Sequence, residues 1–544
     1  IPAQSLADLI DFCQSKQLNK GTTLLFSSSN LEIKIPQGRV RGSYSWFENQ
    51  NKFLGIPYAS VTERFAAPGR PPTWNGTFNA NRDDIKCNQY FNALRTPVGQ
   101  EDCLVLNIFT PPSLSEPLPV IVFIYGGGFY WGYNTKLLYN PRYLVKENVI
   151  VVTINYRVGA FGFLCLGLEG APGNAGLKDQ VAALKWIQNN IAYFGGDPNS
   201  VTVVGESVGA ASANYLLLND EAKGLFHKAI MQSGTVMMPQ AFIYNPVKSA
   251  SKVASSLGYN SSDPNELLQI FKNTTADDIV RASNFDQRND VFAPYLFRPC
   301  AETATSRTPF LTKEPVELLK NISVNIPVII GYNDREGIYW ATHYDSFRTL
   351  ERVQENFDHI IPNYLRFGTQ RDKMSFTNDI FQMYFQNTTA TNGLIEYFTD
   401  ALIAYPSVFT SETMIKASNR SDPVRSVYNY YFKYDSLRNL NKFLTRLPKA
   451  PGACHGDELF YLFDPAIYFV LPSLPSDKAM IQTMTKLWTS FAKTGVPSGA
   501  DSSWNPSEGQ LNFLEIDSNS RMISLPNKER LTFWRETFEK YGRR

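Results

Sequence analysis

Short apolar runs rich in β-branched residues recur along the chain from about residue 117 and alternate with segments of helical spacing. Five runs have the length and composition of buried parallel strands: residues 119–125, 148–156, 201–205, 326–332 and 427–434. Three intervening segments place apolar side chains at helical spacing: residues 177–194, 208–218 and 478–493. This alternation predicts an α/β fold, with a large, mostly parallel central sheet and helices on both of its faces.

The 544 residues contain no Ser/Gly tract, Pro-rich stretch, long charge block or internal repeat that would mark a domain boundary. We therefore predict a single large domain over residues 31–544, with long surface insertions. Residues 1–30 are predicted to be an N-terminal extension, and the sequence assigns no role to them.

The formal net charge of +2 results from 52 basic and 50 acidic residues that are not clustered by sign. This distribution argues against a nucleic-acid partner. The longest apolar runs are too short to cross a bilayer, so no membrane span is predicted.

The chain begins at Ile1 without a methionine and ends without an ER-retention tetrapeptide or a hydrophobic anchor tail. Six Asn-x-Ser/Thr sequons are candidate glycosylation sites, at Asn75, Asn260, Asn273, Asn321, Asn387 and Asn419. We expect a secreted, extracellular protein.

A candidate nucleophile lies in the G-x-S-x-G sequence of residues 205–209, directly after one predicted strand and before a predicted helix. In this context the serine occupies a sharp strand-to-helix turn that projects its oxygen into a site. Glycines on both sides let the strand and helix backbones approach each other. We predict that Ser207 is the nucleophile.

A second glycine cluster, YGGGF at residues 125–129, follows a strand about 80 residues earlier. A serine nucleophile needs hydrogen-bond donors where negative charge develops on the substrate oxygen, and side chains would block the approach to backbone amides. We predict an oxyanion hole made by the backbone N–H groups of Gly127, Gly128 and Val208.

These motifs and several others resemble the type-B carboxylesterase and cholinesterase family, from about residue 31 onward. The matching segments are FLGIPYA (53–59), EDCLVLN (101–107), YGGGF, NYR (155–157), GNAGL (173–177), FGGDP (194–198), GESVG (205–209) and QSG (232–234). The resemblance implies the α/β-hydrolase fold, a Ser…Glu…His triad in that chain order, and an active site at the base of a deep gorge.

The resemblance also implies a disulfide between Cys87 and Cys103. Cys13, Cys300 and Cys454 remain unassigned, because the six cysteines match no zinc motif and are too few for a disulfide scaffold. Cys165 is likewise unassigned, and its apolar neighbours favour a small buried residue with no special role.

The acid of the family lies in a G-x-N-x-x-E-G segment, and residues 331–337 fit this pattern with Glu336. The residues alone leave Asp334 as an alternative carboxylate. Among the four histidines, His227, His343 and His359 are interpreted as structural or surface residues. His455 lies in a late loop at the position of the family's base, so the resemblance assigns it that role.

The implied mechanism is nucleophilic catalysis through an acyl-enzyme, without a metal or a cofactor. Activity is expected to fall as the pH drops through the pKa of His455, near 6.5 if it is unperturbed.

The substrate is expected to be a small-molecule ester of short to medium length and largely apolar character. Acetylcholinesterases carry a choline-stacking Trp between the cysteines of the first disulfide, and here residues 88–102 contain no Trp. A quaternary ammonium binds best over an aromatic face. Tyr90 and Phe91 leave some room for choline esters, but the pattern resembles a general carboxylesterase more closely. Juvenile hormone esterases also resemble the chain but usually have Gln where it has Glu206.

Two other classes remain as alternatives. One is an esterase-like adhesion protein, which would have lost the nucleophile or the base, whereas Ser207, Glu336 and His455 are all present. The other is a protein that sequesters esters and turns them over slowly, and the sequence does not distinguish it from a fast enzyme.

Overall fold

The computed structural model describes residues 31–543, apart from residues 92–94, 285–294, 304–307, 323–324, 342–348, 418–425, 446, 470–473 and 500–502. The predicted extension at residues 1–30, with Cys13, lies outside the described residues, as do His343 and the sequon at Asn419.

The described strands are, in chain order, β1 (Leu31–Ile35), β2 (Gly38–Ser45), β3 (Gln50–Pro57), β4 (Thr77–Asn79), β5 (Gln89–Phe91), β6 (Thr96–Val98), β7 (Val105–Thr110), β8 (Leu118–Ile124), β9 (Ile150–Ile154), β10 (Gly196–Glu206), β11 (Lys228–Gln232), β12 (Val328–Asn333), β13 (Val427–Phe432), β14 (Asn512–Ile516) and β15 (Arg521–Ser524).

Thirteen of these strands form a single sheet, in the order β1-β2-β3-β7-β9-β8-β10-β11-β12-β13-β14-β15, with β4 beside β2. The central strands from β9 to β14 run parallel, whereas the outer pairs β1-β2, β2-β3, β3-β7, β7-β9 and β14-β15 are antiparallel. Every residue of β9, β11, β12 and β13 is buried, which indicates that both faces of the sheet centre are covered.

The described α-helices are α1 (Lys136–Tyr139), α2 (Arg142–Val145), α3 (Gly159–Phe163), α4 (Ala175–Asn190), α5 (Val208–Leu217), α6 (Pro246–Ser256), α7 (Pro264–Asn273), α8 (Ala276–Ala282), α9 (Pro315–Lys320), α10 (Ile338–Ala341), α11 (Leu350–Glu355), α12 (Gln370–Tyr384), α13 (Ala390–Phe398), α14 (Tyr405–Ala417), α15 (Leu440–Leu444), α16 (Pro475–Thr494) and α17 (Lys528–Tyr541). A π-helical turn, Thr399–Ala404, joins α13 to α14. Short 3₁₀ turns lie at Ile191–Phe194, Asp220–Ala222, Pro239–Ala241, Phe357–His359, Asp457–Tyr461 and Ala466–Phe469.

The five predicted strands correspond to β8, β9, β10, β12 and β13, and the three predicted helices to α4, α5 and α16. The predicted helix at residues 177–194 is divided, because α4 ends at Asn190 and a 3₁₀ turn continues to Phe194. Gly195, with a φ of 83°, then reverses the chain into β10.

Two disulfides cross-link the described chain. Cys87 and Cys103 are joined, as the resemblance implied. Cys165 is joined to Cys300 across 135 residues, so its interpretation as an ordinary buried residue is wrong. The pairing depends on a fold contact that spacing does not reveal: the side chain of Asn174 accepts a hydrogen bond from the backbone N–H of Cys300 and donates one to its C=O.

The structure also describes the remaining cysteine, five of the sequons and the helices that bear on a membrane span. Cys454 is buried and free. The five described sequon asparagines are exposed: Asn75, Asn260, Asn273, Asn321 and Asn387. Among the described helices, none is both long enough and apolar enough to traverse a bilayer.

The turn between β10 and α5 depends on two glycines. A Cβ atom on Gly205 would lie 2.0 Å from the carbonyl oxygen of Gly209, and one on Gly209 would lie 2.1 Å from that of Ile124. Both contacts are with backbone atoms, which cannot move without displacing the strand or the helix. The close approach of these elements therefore excludes any side chain at either position.

We expect Gly209→Ala to lower the free energy of unfolding by about 2 kcal/mol or more, because the added methyl group overpacks against backbone. In an open helix the same change would stabilise by about 1 kcal/mol. Urea unfolding of both Gly209→Ala and Gly368→Ala measures the effect. At the exposed Gly368 the nearest atom to an added Cβ is Asp372 Oδ2 at 3.8 Å, so that variant is the control. Equal stability of the two variants would contradict the account.

Candidate active site

Ser207 lies between the last residue of β10 and the first residue of α5, at the carboxyl edge of the parallel strands. Its backbone has a φ of 58° and a ψ of −126°, a conformation that non-glycine residues adopt rarely. Its N–H donates a 2.8 Å hydrogen bond to the carbonyl oxygen of Gln232 at the end of β11. The neighbouring strand thus holds the strained residue in place.

His455 and Glu336 are in direct contact, although 119 residues separate them. The imidazole Nδ1 lies 2.6 Å from Glu336 Oε2. Glu336 has no exposed surface, and its Oε1 accepts a 2.7 Å hydrogen bond from the backbone N–H of Asn333. The carboxylate that contacts His455 is therefore that of Glu336. The alternative, Asp334, instead accepts a 2.7 Å hydrogen bond from the N–H of Ala453 and fixes the loop that carries the histidine.

The other imidazole nitrogen lies close to a second carboxylate. Nε2 of His455 lies 3.2 Å from Glu206 Oε1, within ion-pair range. Among the described residues, no hydrogen bond joins Ser207 Oγ to the imidazole. Ser207, Glu206 and His455 nevertheless line one cavity. Catalytic hydrogen bonds are often long or misaligned before substrate binds, so the missing bond does not exclude His455 as the base.

Three buried carboxylates surround the imidazole. Burial alone would lower the pKa of His455, but Glu206 and Glu336 outweigh it and raise that pKa above its ordinary value. Burial raises the pKa of Glu206 and also that of Glu458. Glu458 accepts hydrogen bonds from the side-chain amides of Gln232, at 3.1 Å, and Asn333, at 2.5 Å.

The predicted oxyanion residues lie beside the serine in the same cavity. Among the described residues, the N–H groups of Gly127 and Gly128 donate no backbone hydrogen bond. Val208 is the first residue of α5, where an N–H has no partner within the helix. A Cβ on the neighbouring Gly126 would lie 2.9 Å from the Cβ of Ser207. Three free amides and a hydroxyl thus share one site.

The cavity has a volume of about 100 Å³, and several aromatic rings line it. The aromatic residues that line it are Tyr130, Trp131, Tyr139, Tyr295, Tyr339, Trp340 and Phe460. The Trp340 ring lies 4.8 Å from the His455 ring, and its indole N–H donates to the hydroxyl of Tyr295. Sequence reasoning did not identify these residues, although Trp131 follows the glycine cluster and Trp340 follows Glu336 by one helical turn.

The other described histidines lie elsewhere. His227 is half-buried, and its Nδ1 accepts a 3.2 Å hydrogen bond from the backbone N–H of Val201. His359 is exposed in a 3₁₀ turn. Neither lines the cavity, in agreement with the structural or surface roles expected of them.

The profile of one protein family, described as "Carboxylesterase family", matches residues 29–534. The chain belongs to the carboxylesterase family. This match confirms the family predicted from the motifs, and ester hydrolysis is the activity class of this carboxylesterase.

Similar proteins include Esterase FE4 of Myzus persicae, 33% identical over 89% of this carboxylesterase and 88% of that protein. Juvenile hormone esterase of Tribolium castaneum is 31% identical, covering 90% of the chain and 87% of the relative. Bile salt-activated lipase of Mus musculus is 32% identical, with coverages of 90% and 83%.

A solved structure with the same fold is juvenile hormone esterase from Manduca sexta with OTFP covalently attached. Its TM-score is 0.82 at 27% identity, covering 94% of this carboxylesterase and 100% of that chain. This similarity confirms the predicted α/β-hydrolase fold.

We expect the acid limb of kcat/KM to lie above pH 6.5 in this carboxylesterase. A raised His455 pKa keeps the imidazole protonated to higher pH, and only neutral imidazole can accept a proton from the serine. Glu206→Gln removes one of the negative charges that raise the pKa of His455, so it should move the acid limb to lower pH. The pH dependence of nitrophenyl ester hydrolysis measures both.

Glu221→Gln is a matched control for this experiment, because that glutamate is exposed and pairs only with Lys185 in the described structure. It should leave the limb unchanged. An acid limb that does not move in Glu206→Gln would show that Glu206 does not control the charge of the imidazole.

Proposed function

We propose that this chain hydrolyses short to medium, largely apolar carboxylic esters through an acyl-enzyme on Ser207. His455 takes the proton of the Ser207 hydroxyl as the oxygen attacks the substrate carbonyl, and then gives it to the leaving alcohol. Water attacks the acyl-enzyme by the same proton path and releases the acid. Glu336 orients the imidazole and stabilises its charged form.

The observation that carries this proposal is the 2.6 Å contact between His455 Nδ1 and Glu336 Oε2, beside the serine and the free amides. If Nδ1 donates its hydrogen to Glu336, Nε2 is the nitrogen that can accept a proton. The amides of Gly127, Gly128 and Val208 would stabilise the tetrahedral oxyanion, each by about 3 kcal/mol in the transition state.

The lining of the cavity supports an apolar substrate body. Seven large aromatic side chains line it, and Leu138, Leu444 and Leu459 add aliphatic surface. Tyr90 and Phe91, the two aromatic residues that left room for choline esters, are not among the described residues of the cavity. Relatives named as esterases and a lipase are consistent with small-molecule esters as substrates.

We also propose that residues 31–544 form one domain and that the protein is extracellular. Two disulfides favour an oxidising compartment. The exposed sequons support glycosylation at Asn75, Asn260, Asn273, Asn321 and Asn387. One relative, from Apis mellifera, is named venom carboxylesterase-6.

Ser207→Ala should lower kcat for nitrophenyl esters by about a million-fold, because the serine and its base act as one unit. Ser212→Ala is the matched control: it removes a buried serine of α5 whose Oγ accepts a hydrogen bond from Gln180 and which does not line the cavity. Steady-state rates and the thermal midpoint of each variant give the comparison. Retention of near-normal rates by folded Ser207→Ala would refute the mechanism.

The same assay distinguishes apolar esters from choline esters as substrates, and an enzyme from a sequestering or binding protein. Nitrophenyl esters from acetate to octanoate should have higher kcat/KM than butyrylthiocholine. A stoichiometric burst of nitrophenol without steady turnover would identify a sequestering protein instead of an enzyme, and no acylation at all would favour a binding module.

A further inference from the structure

Gln240 contributes a carboxamide to the wall of the active-site cavity. It lies in the 3₁₀ turn Pro239–Ala241, and only 1% of its surface is exposed. Both polar atoms of its side chain, Oε1 and Nε2, are buried and have no hydrogen-bond partner among the described residues. Buried amide groups are nearly always paired, so an unpaired one in a cavity wall requires an explanation.

Three other polar side chains of the same wall already have partners. The amide of Asn441 donates a 2.8 Å hydrogen bond to the carbonyl oxygen of His455. The hydroxyl of Thr445 donates to the carbonyl oxygen of Lys442 at 2.7 Å. Glu206 faces the imidazole of His455. The carboxamide of Gln240 therefore differs from these groups in having both a donor and an acceptor free.

The backbone on either side of Gln240 is held firmly. The carbonyl oxygen of Pro239 accepts hydrogen bonds from Arg298 Nη1 at 2.8 Å and from Asn363 Nδ2 at 3.0 Å. The carbonyl oxygen of Ala241 accepts one from the hydroxyl of Tyr215 at 2.9 Å. These bonds fix the backbone of the turn, so Gln240 is held at the cavity wall before substrate binds.

We propose that Gln240 is a specificity-determining residue that pairs with a second hydrogen-bonding group of the substrate, apart from the ester being cleaved. The favoured substrate is then an ester with an apolar body and one additional hydroxyl or comparable polar group, in either its acyl or its alcohol part. A hydroxyl both donates and accepts, so one such group could satisfy Nε2 or Oε1. This inference rests on the proposed ester hydrolysis and narrows its substrate class.

Pairs of esters that differ by one hydroxyl test the proposal. One series consists of nitrophenyl esters of C4 to C10 acids with and without a terminal hydroxyl, and the other of hexanoate esters of alcohols and of the matching diols. In the wild-type protein, at least one hydroxylated ester should exceed its plain partner in kcat/KM by about tenfold, since its hydroxyl gains a hydrogen bond to a buried amide that the plain ester leaves unpaired. The series in which the preference occurs shows whether the group lies in the acyl or the alcohol part.

Gln240→Met keeps the length of the side chain and removes its hydrogen-bonding atoms, so it should abolish the preference by slowing the hydroxylated ester and sparing the plain one. Its thermal midpoint should not fall, because the lost amide has no partner among the described residues. Gln240→Leu provides a second variant. Gln188→Met is the control: that amide donates to the carbonyl oxygens of Pro198 and Leu225, outside the cavity, and its loss should leave the preference unchanged.

A wild-type protein that prefers none of the hydroxylated esters, or a preference that persists in Gln240→Met, would overturn the proposal. In both cases the plain esters would still be hydrolysed, so the proposed function would stand. Failure to hydrolyse any ester in either series would instead refute the proposed function itself.

Discussion

The positive φ of Ser207 is the constraint on which the rest of the site depends. It directs the side chain out of the turn between β10 and α5 and into the cavity. Backbone strain of this kind costs about 1–3 kcal/mol and persists only where the surroundings enforce it. Here the enforcing contacts are the hydrogen bond to Gln232 and the glycines at 205 and 209, whose missing side chains let the helix lie directly against the strands. The free N–H of Val208 results from the same turn.

A second organising feature is the concentration of buried negative charge around one imidazole. Glu206, Glu336 and Glu458 are all buried, and each acts on His455 from a different element of the fold. Asn333 connects two of them, because its backbone N–H binds Glu336 and its side chain binds Glu458. Such an arrangement would stabilise the positive imidazole of the proposed transition state, and it also favours protonation of His455 in the resting protein. In the proposed mechanism, the charge of the imidazole therefore depends on Glu206.

The sequence predicted the fold and the carboxylesterase family because both depend on local patterns. Apolar runs marked the buried strands, and glycines marked the turns where backbones meet. The choice of Glu336 over Asp334 needed the family resemblance, since the two carboxylates differ only in the three-dimensional contacts they make. The pairing of Cys165 with Cys300, the aromatic wall that includes Trp131 and Trp340, and the unpaired amide of Gln240 depend on contacts between distant segments. No spacing in the chain encodes those contacts.

Mass spectrometry of a trapped acyl-enzyme tests the central claim most directly. The protein is mixed with nitrophenyl acetate, quenched in acid within one turnover and digested. The account predicts one acetyl group on the peptide that contains Ser207. It predicts no acetyl group in His455→Ala, because the Ser207 hydroxyl of that variant would lack a base. An acetyl group on a different residue, or equal acetylation of Ser207 with and without the histidine, would contradict it.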